Sequence, residues 1–443
     1  MKKLGETMDI DQHAVTKKTF FRLLPLLFAC YILAYLDRIN IGFAALTMNK
    51  DIGLTAYTFG LGAGMFFIGY FFLEVPSNLL LQRFGARRWI ARIMASWGVL
   101  AIAMMFVTGP LSFLVMRFLI GAAEAGFFPG VILYLTYWFS PAYRARIIGT
   151  FMVAIPMSLA LGAPISTAIL GLDRIWGLAG WQWLYLLEGA PTVIMGVVVW
   201  FVLPDRPRDA KWLTPAERSW LQKTIDAEQH SVQAAHGMSV LRVFADWRVL
   251  GLSFVYFANT TANLGLAFFL PQILKGMGLT TMQVGLYTAI PYVVGTIGIL
   301  VWGYVSDRMN ERRINLAVAM LVIGIGLVGA GMLGNSLVSI LFFSTAAIGI
   351  YGAKAPFWPL PSMFLSGSAA AVGIALINSI GNLGGFAGPY IVGWVKDSTG
   401  SFESGLYALS AFGFVAAIAI LLVVRPEQHR RRQAIPCRAA SRE

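Results

Sequence analysis

Asp37, Arg38, Arg117, Glu124, Glu188 and Lys354 are ionisable side chains lying within long apolar stretches of this chain. An ionised group at the centre of a lipid-embedded helix costs roughly 2.5–3.5 kcal/mol on insertion scales. Each one needs a partner, a water-filled cavity or a charged ligand to offset that cost. Buried carboxyls can carry protons and buried cations can hold an anion, so the chemistry on offer is reversible binding of a proton and a negatively charged solute. The chain has no nucleophile–base set, no metal-ligating cluster and no cofactor loop, which argues against an enzyme and against any cofactor or metal. All four histidines, His13, His230, His236 and His429, fall in polar segments. A buried histidine relay is thereby excluded, and carboxyls must carry any proton.

Helical spacing decides which of these groups can act together. Tyr31, Tyr35 and Arg38 are four and three residues apart and share a face, whereas the adjacent Asp37 and Arg38 diverge by about 100°. We expect Arg38 to face a central cavity with the tyrosines, and Asp37 to point to a neighbouring helix and titrate there. Arg117, Gly121, Glu124 and Phe128 form one stripe. Arg117 lies about 9 Å from the outer end of its span, so it either faces the stripe's cavity or snorkels outward. Glu124 is near mid-span, where it either stays protonated or pairs with a cation. Glu74, near the inner end of its span, and Glu188, two turns in from the outer side, read as structural.

Lys354 falls close to the midplane of its span, with Tyr351 and Trp358 on the same face. An ammonium flanked by aromatic rings suits an anion with a flat or apolar body; the other reading is a lysine paired with a carboxylate from another helix. Tyr256, Asn259 and Asn263 share one helix face, and Asn378 and Asn382 share another. Their amides can bond a substrate or hold helices together, and both readings stand.

The elements that must position these groups follow from composition. Of 443 residues, 58% are hydrophobic and 12% charged, against about 25% charged in a soluble domain. Twelve apolar stretches are long enough to cross a bilayer as helices: 20–47, 56–81, 89–108, 111–139, 145–170, 181–203, 247–274, 282–305, 314–334, 337–365, 367–395 and 403–425. They do not alternate in polarity as β-barrel strands do. A short signal occurs twice at equivalent places. The first copy is Gln82-Arg83-Phe84-Gly85-Ala86-Arg87-Arg88; the second is Gly303-Tyr304-Val305-Ser306-Asp307-Arg308, followed by Arg312 and Arg313. A repeated six-span unit predicts an all-α integral membrane fold of twelve transmembrane helices in two pseudo-symmetric six-helix bundles. The expected organisation is an N-terminal segment 1–19, a bundle 20–203, a linker 204–246, a second bundle 247–425 and a basic tail 426–443. In the linker, Thr214-Pro215-Ala216-Glu217 predicts the start of a short amphipathic helix over about 214–229.

The net charge of +13 does not point to nucleic acid, because its distribution is one-sided. With the N-terminus inside, cytoplasmic segments hold 27 of the 34 Lys and Arg, outer loops hold Lys50, Arg174, Lys275 and Lys396, and spans hold Arg38, Arg117 and Lys354. That asymmetry predicts both termini in the cytoplasm, with Arg430-Arg431-Arg432 as a topology signal or weak lipid contact. Cys30 and Cys437 imply no disulfide framework, and the polar residues 1–19 do not read as a cleavable signal. Prolines recur within spans, most densely in Pro356-Phe357-Trp358-Pro359-Leu360-Pro361, as hinges or as ordinary kinks. Gly60, Gly62 and Gly64 lie within a membrane run and read as close helix packing rather than a dinucleotide loop.

Several stretches resemble the anion:cation symporter family of the major facilitator superfamily. They are Tyr35-Leu36-Asp37-Arg38-Ile39-Asn40, Glu74-Val75-Pro76-Ser77-Asn78, Gly121-Ala122-Ala123-Glu124-Ala125-Gly126-Phe127-Phe128-Pro129-Gly130 and Asn378-Ser379-Ile380-Gly381-Asn382-Leu383-Gly384-Gly385. The likeness covers about residues 20–425. It implies proton-coupled uptake of organic anions such as sugar acids, tartrate, phthalate, hydroxyphenylacetate or nicotinate-like acids. It carries over Asp37 and Glu124 as protonatable coupling residues controlled by Arg38. Tyr35, Tyr70, Arg117 and an asparagine of the eleventh span become substrate contacts, and Arg83, Gly85, Arg87, Gly303, Asp307 and Arg308 become gating-loop residues. Gln82 stands where the family's first loop has an acid, so one gating ion pair is expected to be missing there, while Asp307 keeps it in the second half. The substrate position near Lys354 varies in the family, so Lys354 is a candidate for setting specificity. The antiporter glycine pattern is broken in the fifth span by Ser158 and a displaced Pro164, which favours symport.

The resulting expectation is an alternating-access symporter for a small aromatic or hydroxy carboxylate. It would be a monomer whose partners are a small organic anion, protons and the lipid bilayer of the plasma membrane, the inner membrane of a bacterium. Asp37 or Glu124 takes the proton, and Arg38, Lys354, Trp358 and polar groups of spans seven and eleven hold the anion. An exchanger or exporter with the same fold is the nearest rival, and a non-transporting membrane sensor a remote one.

Overall fold

The computed structural model describes residues 11–234, 240–309, 311–334, 336–363, 365 and 367–424. The basic tail 426–443, with Cys437, and His236 in the linker lie outside them. The N-terminal lobe contains α1 (Gln12–Asp51), α2 (Ala56–Phe84), α3 (Ala86–Ala103), α4 (Pro110–Glu124), α5 (Phe127–Thr136), α6 (Pro141–Met152), α7 (Ala154–Leu170) and α8 (Gly180–Val202). Two linker helices follow, α9 (Pro215–Ala234) and α10 (Val240–Ala245). The C-terminal lobe contains α11 (Trp247–Gly276), α12 (Thr281–Met309), α13 (Arg313–Leu333), α14 (Ser339–Gly352), α15 (Lys354–Phe357), α16 (Gly367–Asn382), α17 (Gly384–Thr399) and α18 (Phe402–Val423). Taking α4–α5, α6–α7, α14–α15 and α16–α17 as broken single crossings, each lobe has six.

Ten of these crossings are long and apolar enough to span a membrane by length and composition. The other two differ for physical reasons. α11 carries the polar residues Tyr256, Asn259, Thr260, Thr261 and Asn263, and the eleventh crossing is split into two helices of 16 residues each. Large apolar side chains on the periphery, among them Phe72, Leu111, Ile194, Phe201, Leu300 and Leu422, are exposed, as lipid contact requires.

Breaks in the helices cluster at one depth. α4 ends at Glu124, and Gly126 then takes a φ of +87° before α5 begins. A side chain at Gly126 would be strained by that φ and would also place its Cβ 2.3 Å from Ser77 Oγ. α14 gives way to α15 at Ala353, immediately before Lys354, and α16 gives way to α17 at Leu383, immediately after Asn382. The interruptions therefore fall beside the ionisable and amide residues, the arrangement that interrupted membrane helices use to line a binding site.

The linker lies on the same face as the start of α1. Thr214 and Glu217 cap α9 reciprocally: Thr214 N–H donates to Glu217 Oε2 at 2.7 Å and Glu217 N–H to Thr214 Oγ1 at 3.3 Å. Lys18 of α1 pairs with Glu217 at 3.0 Å. Partial burial pushes the Glu217 carboxyl up, but the Thr214 N–H and the Lys18 ammonium outweigh it and hold the group below the usual range.

The lobes meet most closely at the opposite, distal face. A Cβ on Gly60 of α2 would lie 2.2 Å from the Pro389 carbonyl oxygen of α17, so only glycine permits this approach of the two backbones. Phe59 meets Phe269 edge-on at 5.3 Å. At the rim, the Asp397 carboxylate on α17 accepts from the Ala56 and Tyr57 N–H groups at 3.2 and 2.9 Å, capping α2 from the other lobe. The distal face is thus closed by backbone contact and one cross-lobe cap. Losing a helix cap costs about 1 kcal/mol, or roughly fivefold in an equilibrium. Asp397→Ala is therefore expected to raise maleimide labelling of a cysteine placed at Phe269 several-fold, in a background with Cys30 and Cys437 replaced by serine, and Gly60→Val to raise it further. Unchanged labelling in both would show that these contacts do not hold the face shut.

Candidate functional site

A cavity with about 540 Å³ of empty space, counting its open mouth, lies between the lobes at the depth of the helix breaks. The N-terminal lobe contributes Tyr31, Tyr35, Arg38, Tyr70 and Phe128, and the C-terminal lobe Tyr256, Lys354, Trp358, Asn378 and Asn382. Tyr31, Tyr35 and Arg38 reach it together because four- and three-residue steps on α1 keep them on one face. Both sides are aromatic: Tyr31 packs edge-on to Tyr35 at 5.2 Å, and Tyr256 packs against Trp358 at 5.2 Å.

Arg38 is the electrostatic centre of the N-terminal side. Its Nη2 donates to Glu124 Oε1 in a salt bridge; the Arg38 side chain is 13% exposed and that of Glu124 1%. Four rings surround the guanidinium, with centroids at 5.0 Å (Tyr35), 5.1 Å (Phe66), 5.7 Å (Tyr70) and 5.9 Å (Phe67). Such cation–π contacts contribute about 0.5–2 kcal/mol each as water is excluded. Lys354, across the cavity, lies 4.9 Å from the Tyr351 ring centroid and forms no ion pair among the described residues. The two faces therefore differ in charge state: one cation is already paired, the other is free to take a carboxylate.

Asp37 does not line the cavity. Its Oδ2 accepts from Trp97 Nε1 at 2.8 Å on α3 and from Thr192 Oγ1 at 2.7 Å on α8. Arg117 is buried in the same lobe, its guanidinium 5.1 Å from the Phe66 centroid. Both guanidinium groups thus lie near the Phe66 ring, but Arg117 is not among the residues lining the cavity. Asn259 donates to the Ile350 carbonyl at 3.1 Å, and Asn263 accepts from the Tyr351 hydroxyl at 3.4 Å. In this conformation both amides join α11 to α14 and neither lines the cavity. Glu74 stands out as a residue that spacing alone left as structural. Its Oε1 accepts from Asn378 Nδ2 at 3.2 Å, a direct bond between the lobes beside the cavity. The available signal was the acid lying one turn past Tyr70 on the same face of α2.

The repeated loop motifs lie at the proximal face. Arg87 of the first copy is held by Asp205, whose Oδ1 accepts from the Arg87 N–H at 2.8 Å while Oδ2 lies 3.7 Å from Nε. Asp205, from the far end of α8, supplies the acid that Gln82 does not. Gly85, with φ +89°, brings the chain against the same carboxylate. Arg83 is exposed beside Phe84. In the second copy Asp307 pairs with Arg312 at 2.5 Å, Arg308 donates to Tyr304 at 3.3 Å, and Gly303 approaches Ala355.

Two six-helix lobes around a charged central cavity define a membrane carrier. The sequence matches the Major Facilitator Superfamily model over residues 27–389 and 252–438, and the chain belongs to that superfamily. It is a transporter and not an enzyme. It is 48% identical over 419 residues, 95% of this chain and 93% of the other, to a protein of Agrobacterium vitis provisionally named a tartrate transporter. It is 38% identical over 429 residues, 97% of this chain and 99% of the other, to a quinolone resistance transporter of Acinetobacter baumannii. Its fold is similar to the crystal structure of a bacterial homologue of the human lysosomal transporter Spinster in an inward-facing, unoccupied conformation. That match has a TM-score of 0.77 and 18% identity, over 92% of this chain and 97% of that one.

The buried pair makes a testable statement about stability. Arg38→Ala strands the Glu124 carboxylate and is expected to destabilise the folded protein by about 3–5 kcal/mol, as breaking one side of a buried pair does. Adding Glu124→Gln removes the stranded charge and should restore much of the loss in unfolding experiments in detergent. Simple addition of the two losses would mean that the pair is not energetically coupled.

Proposed function

We propose that the chain is a proton-coupled symporter that takes up a small organic anion, an aromatic or hydroxy carboxylate, by alternating access. The observation that carries this reading is the contrast between the paired Arg38–Glu124 and the unpaired Lys354 across one cavity. With Glu124 ionised, Arg38 is neutralised and the cavity offers a single free cation. A proton on Glu124 cancels the attraction that holds Arg38 and leaves a second cation facing the cavity. An anion carboxylate then has Lys354 and Arg38 to bind, and the loaded cavity carries less net charge than the protonated, empty one. By linkage the coupling is reciprocal: the proton raises affinity for the anion and the anion raises affinity for the proton. The tartrate name of the Agrobacterium vitis relative is consistent with a small hydroxylated acid, and Tyr31, Tyr35, Tyr256, Asn378 and Asn382 offer hydroxyl and amide partners for it.

The orientation proposed puts both termini and the linker in the cytoplasm of a bacterial cell, with the chain in the inner membrane as a monomer, on the strength of the one-sided Lys and Arg distribution. The closed distal face is then the outer one, and the conformation is inward-facing. Asp37 acts as the second proton carrier of the N-terminal lobe. Asn378, bonded to Glu74, and the loop pairs Arg87–Asp205 and Asp307–Arg312 belong to the inner gate. Arg117, Asn259 and Asn263 would contact substrate only in another conformation, since here they are engaged or buried away from the cavity.

An exporter or exchanger is the rival, favoured by the resistance function named for the Acinetobacter baumannii relative. Purified protein in liposomes separates the readings. Accumulation of tartrate or another hydroxy acid against its gradient, driven by an inward proton gradient, is expected for the wild type and absent in Asp37→Asn and Glu124→Gln. Lys354→Gln should raise the half-saturating concentration by 30-fold or more, from the ~2–5 kcal/mol typical of truncating one partner of a buried charge contact. Counterflow with no proton movement in the wild type would identify an exchanger and reject symport.

A further inference from the structure

Away from the cavity, the N-terminal lobe holds four buried polar atoms without partners that lie next to one another in the fold. They are Asp37 Oδ1, both amide atoms of Asn40, and Glu188 Oε2. Asp37, Asn40 and Glu188 are 4%, 1% and 5% exposed. Asn40 sits one turn beyond Asp37 on α1, and its side chain faces the Glu188 carboxyl. On α8, Thr192 lies one turn beyond Glu188 on the same face and donates to Asp37 Oδ2 at 2.7 Å. Ser166 of α7 donates to Glu188 Oε1 at 2.7 Å. Two carboxyls thus lie on facing stripes of α1 and α8, with an asparagine between them.

Among the described residues, neither Asp37 nor Glu188 has an ion-pair partner, and their hydrogen bonds come from neutral groups. α3 contributes Trp97, α7 contributes Ser166, and α8 itself contributes Thr192 and the Tyr185 phenol. Of the buried cations of this lobe, Arg117 lies over the Phe66 ring and Arg38 is paired with Glu124. Leaving two ionised carboxylates here would strand charge in a dry site. The four orphan atoms also count one hydrogen short: three are acceptors and one, Asn40 Nδ2, is a donor. A proton on Glu188 Oε2 closes the count. Its O–H can donate to Asn40 Oδ1, leaving Asn40 Nδ2 to donate to Asp37 Oδ1.

We propose that Glu188 is a third proton-holding site of the N-terminal lobe, joined to Asp37 through the Asn40 amide and acting as its reservoir on the distal side. Glu188 lies eight residues into α8 from Gly180, about 12 Å from the distal end, whereas Asp37 lies fourteen residues from Asp51, about 21 Å. In the distal-open state a proton would reach Glu188 first and be passed inward as Asp37 loses its own to the cavity. The transfer itself breaks the Glu188 O–H bond and forms an O–H bond on Asp37 Oδ1, carboxyl to carboxyl, once the Asn40 amide turns aside; the amide bridges the two acids between transfers and carries no proton of its own. This role rests on the symport reading above, whereas the presence of a proton on Glu188 does not.

Infrared difference spectroscopy of the full chain in lipid vesicles near neutral pH, paired with uptake in the same vesicles, tests both parts. The wild type should show a protonated-carboxyl C=O band that Glu188→Gln removes and Asp37→Asn retains. Glu188→Gln should also shift the pH profile of proton-driven uptake while anion counterflow persists, and Asn40→Leu should shift the profile in the same way with the band still present. A spectrum unchanged by Glu188→Gln would overturn the proposal, as would loss of the band with an unaltered pH profile, which would leave Glu188 a structural acid. If the wild type shows no proton-driven uptake at all, the symport reading falls, and the spectrum still reports separately whether Glu188 holds a proton.

Discussion

A guanidinium and a carboxylate that can satisfy each other only while both are charged govern this molecule. Arg38 and Glu124 meet where water is nearly excluded, so their attraction is far larger than at a surface; at an effective dielectric of 20 and 4 Å it is about 4 kcal/mol. Neither can leave the other without compensation. In the proposed cycle a proton supplies it to the carboxylate and an anion supplies it to the guanidinium. The two ligands would then be bound through one interaction, with exchange of partners at Arg38 as the physical content of coupling. Lys354 differs: on the opposite lobe it lies beside the Tyr351 ring and has no ion pair among the described residues.

The architecture serves that exchange by interrupting helices where the charges are. Glu124 ends one helix, Lys354 begins another and Asn382 ends a third, so each group sits at a bend that can rotate with its lobe. The lobes meet at a distal contact in which backbone approaches backbone at Gly60, capped across the interface by Asp397. Contacts of this kind are tight yet depend on few side chains, which lets them separate as a unit. Glu74–Asn378 bridges the lobes at cavity depth, and opposing sets of contacts of this sort are what alternating access requires.

The fold was plain in the chain because lipid imposes a simple rule: every crossing must be a helix about 20 residues long, and the loop repeat marks the halves. Helical periodicity also put Tyr31, Tyr35 and Arg38 on one face and turned Asp37 away, which is how the four lie in the structure. What stayed hidden depended on residues far apart in sequence. Asp205 holding Arg87 could not be read from a motif that lacks its acid at Gln82. Asn259 and Asn263 share a face with Tyr256, but the rotation of α11 turns the amides to α14 while the phenol reaches the cavity. Arg117 shares a stripe with Glu124, yet it is buried beside the Phe66 ring and does not line the cavity. The Glu188–Asn40–Asp37 arrangement needs the packing of α8 on α1, which no local pattern specifies.

The central claim is that binding the anion draws a proton onto Glu124. Calorimetric titration of the purified protein with a hydroxy or aromatic carboxylate, repeated in buffers of different ionisation enthalpy, counts that proton directly. The account requires net proton uptake on binding in the wild type and none in Glu124→Gln. Binding without proton uptake in the wild type, or uptake that survives in the glutamine variant, would contradict it.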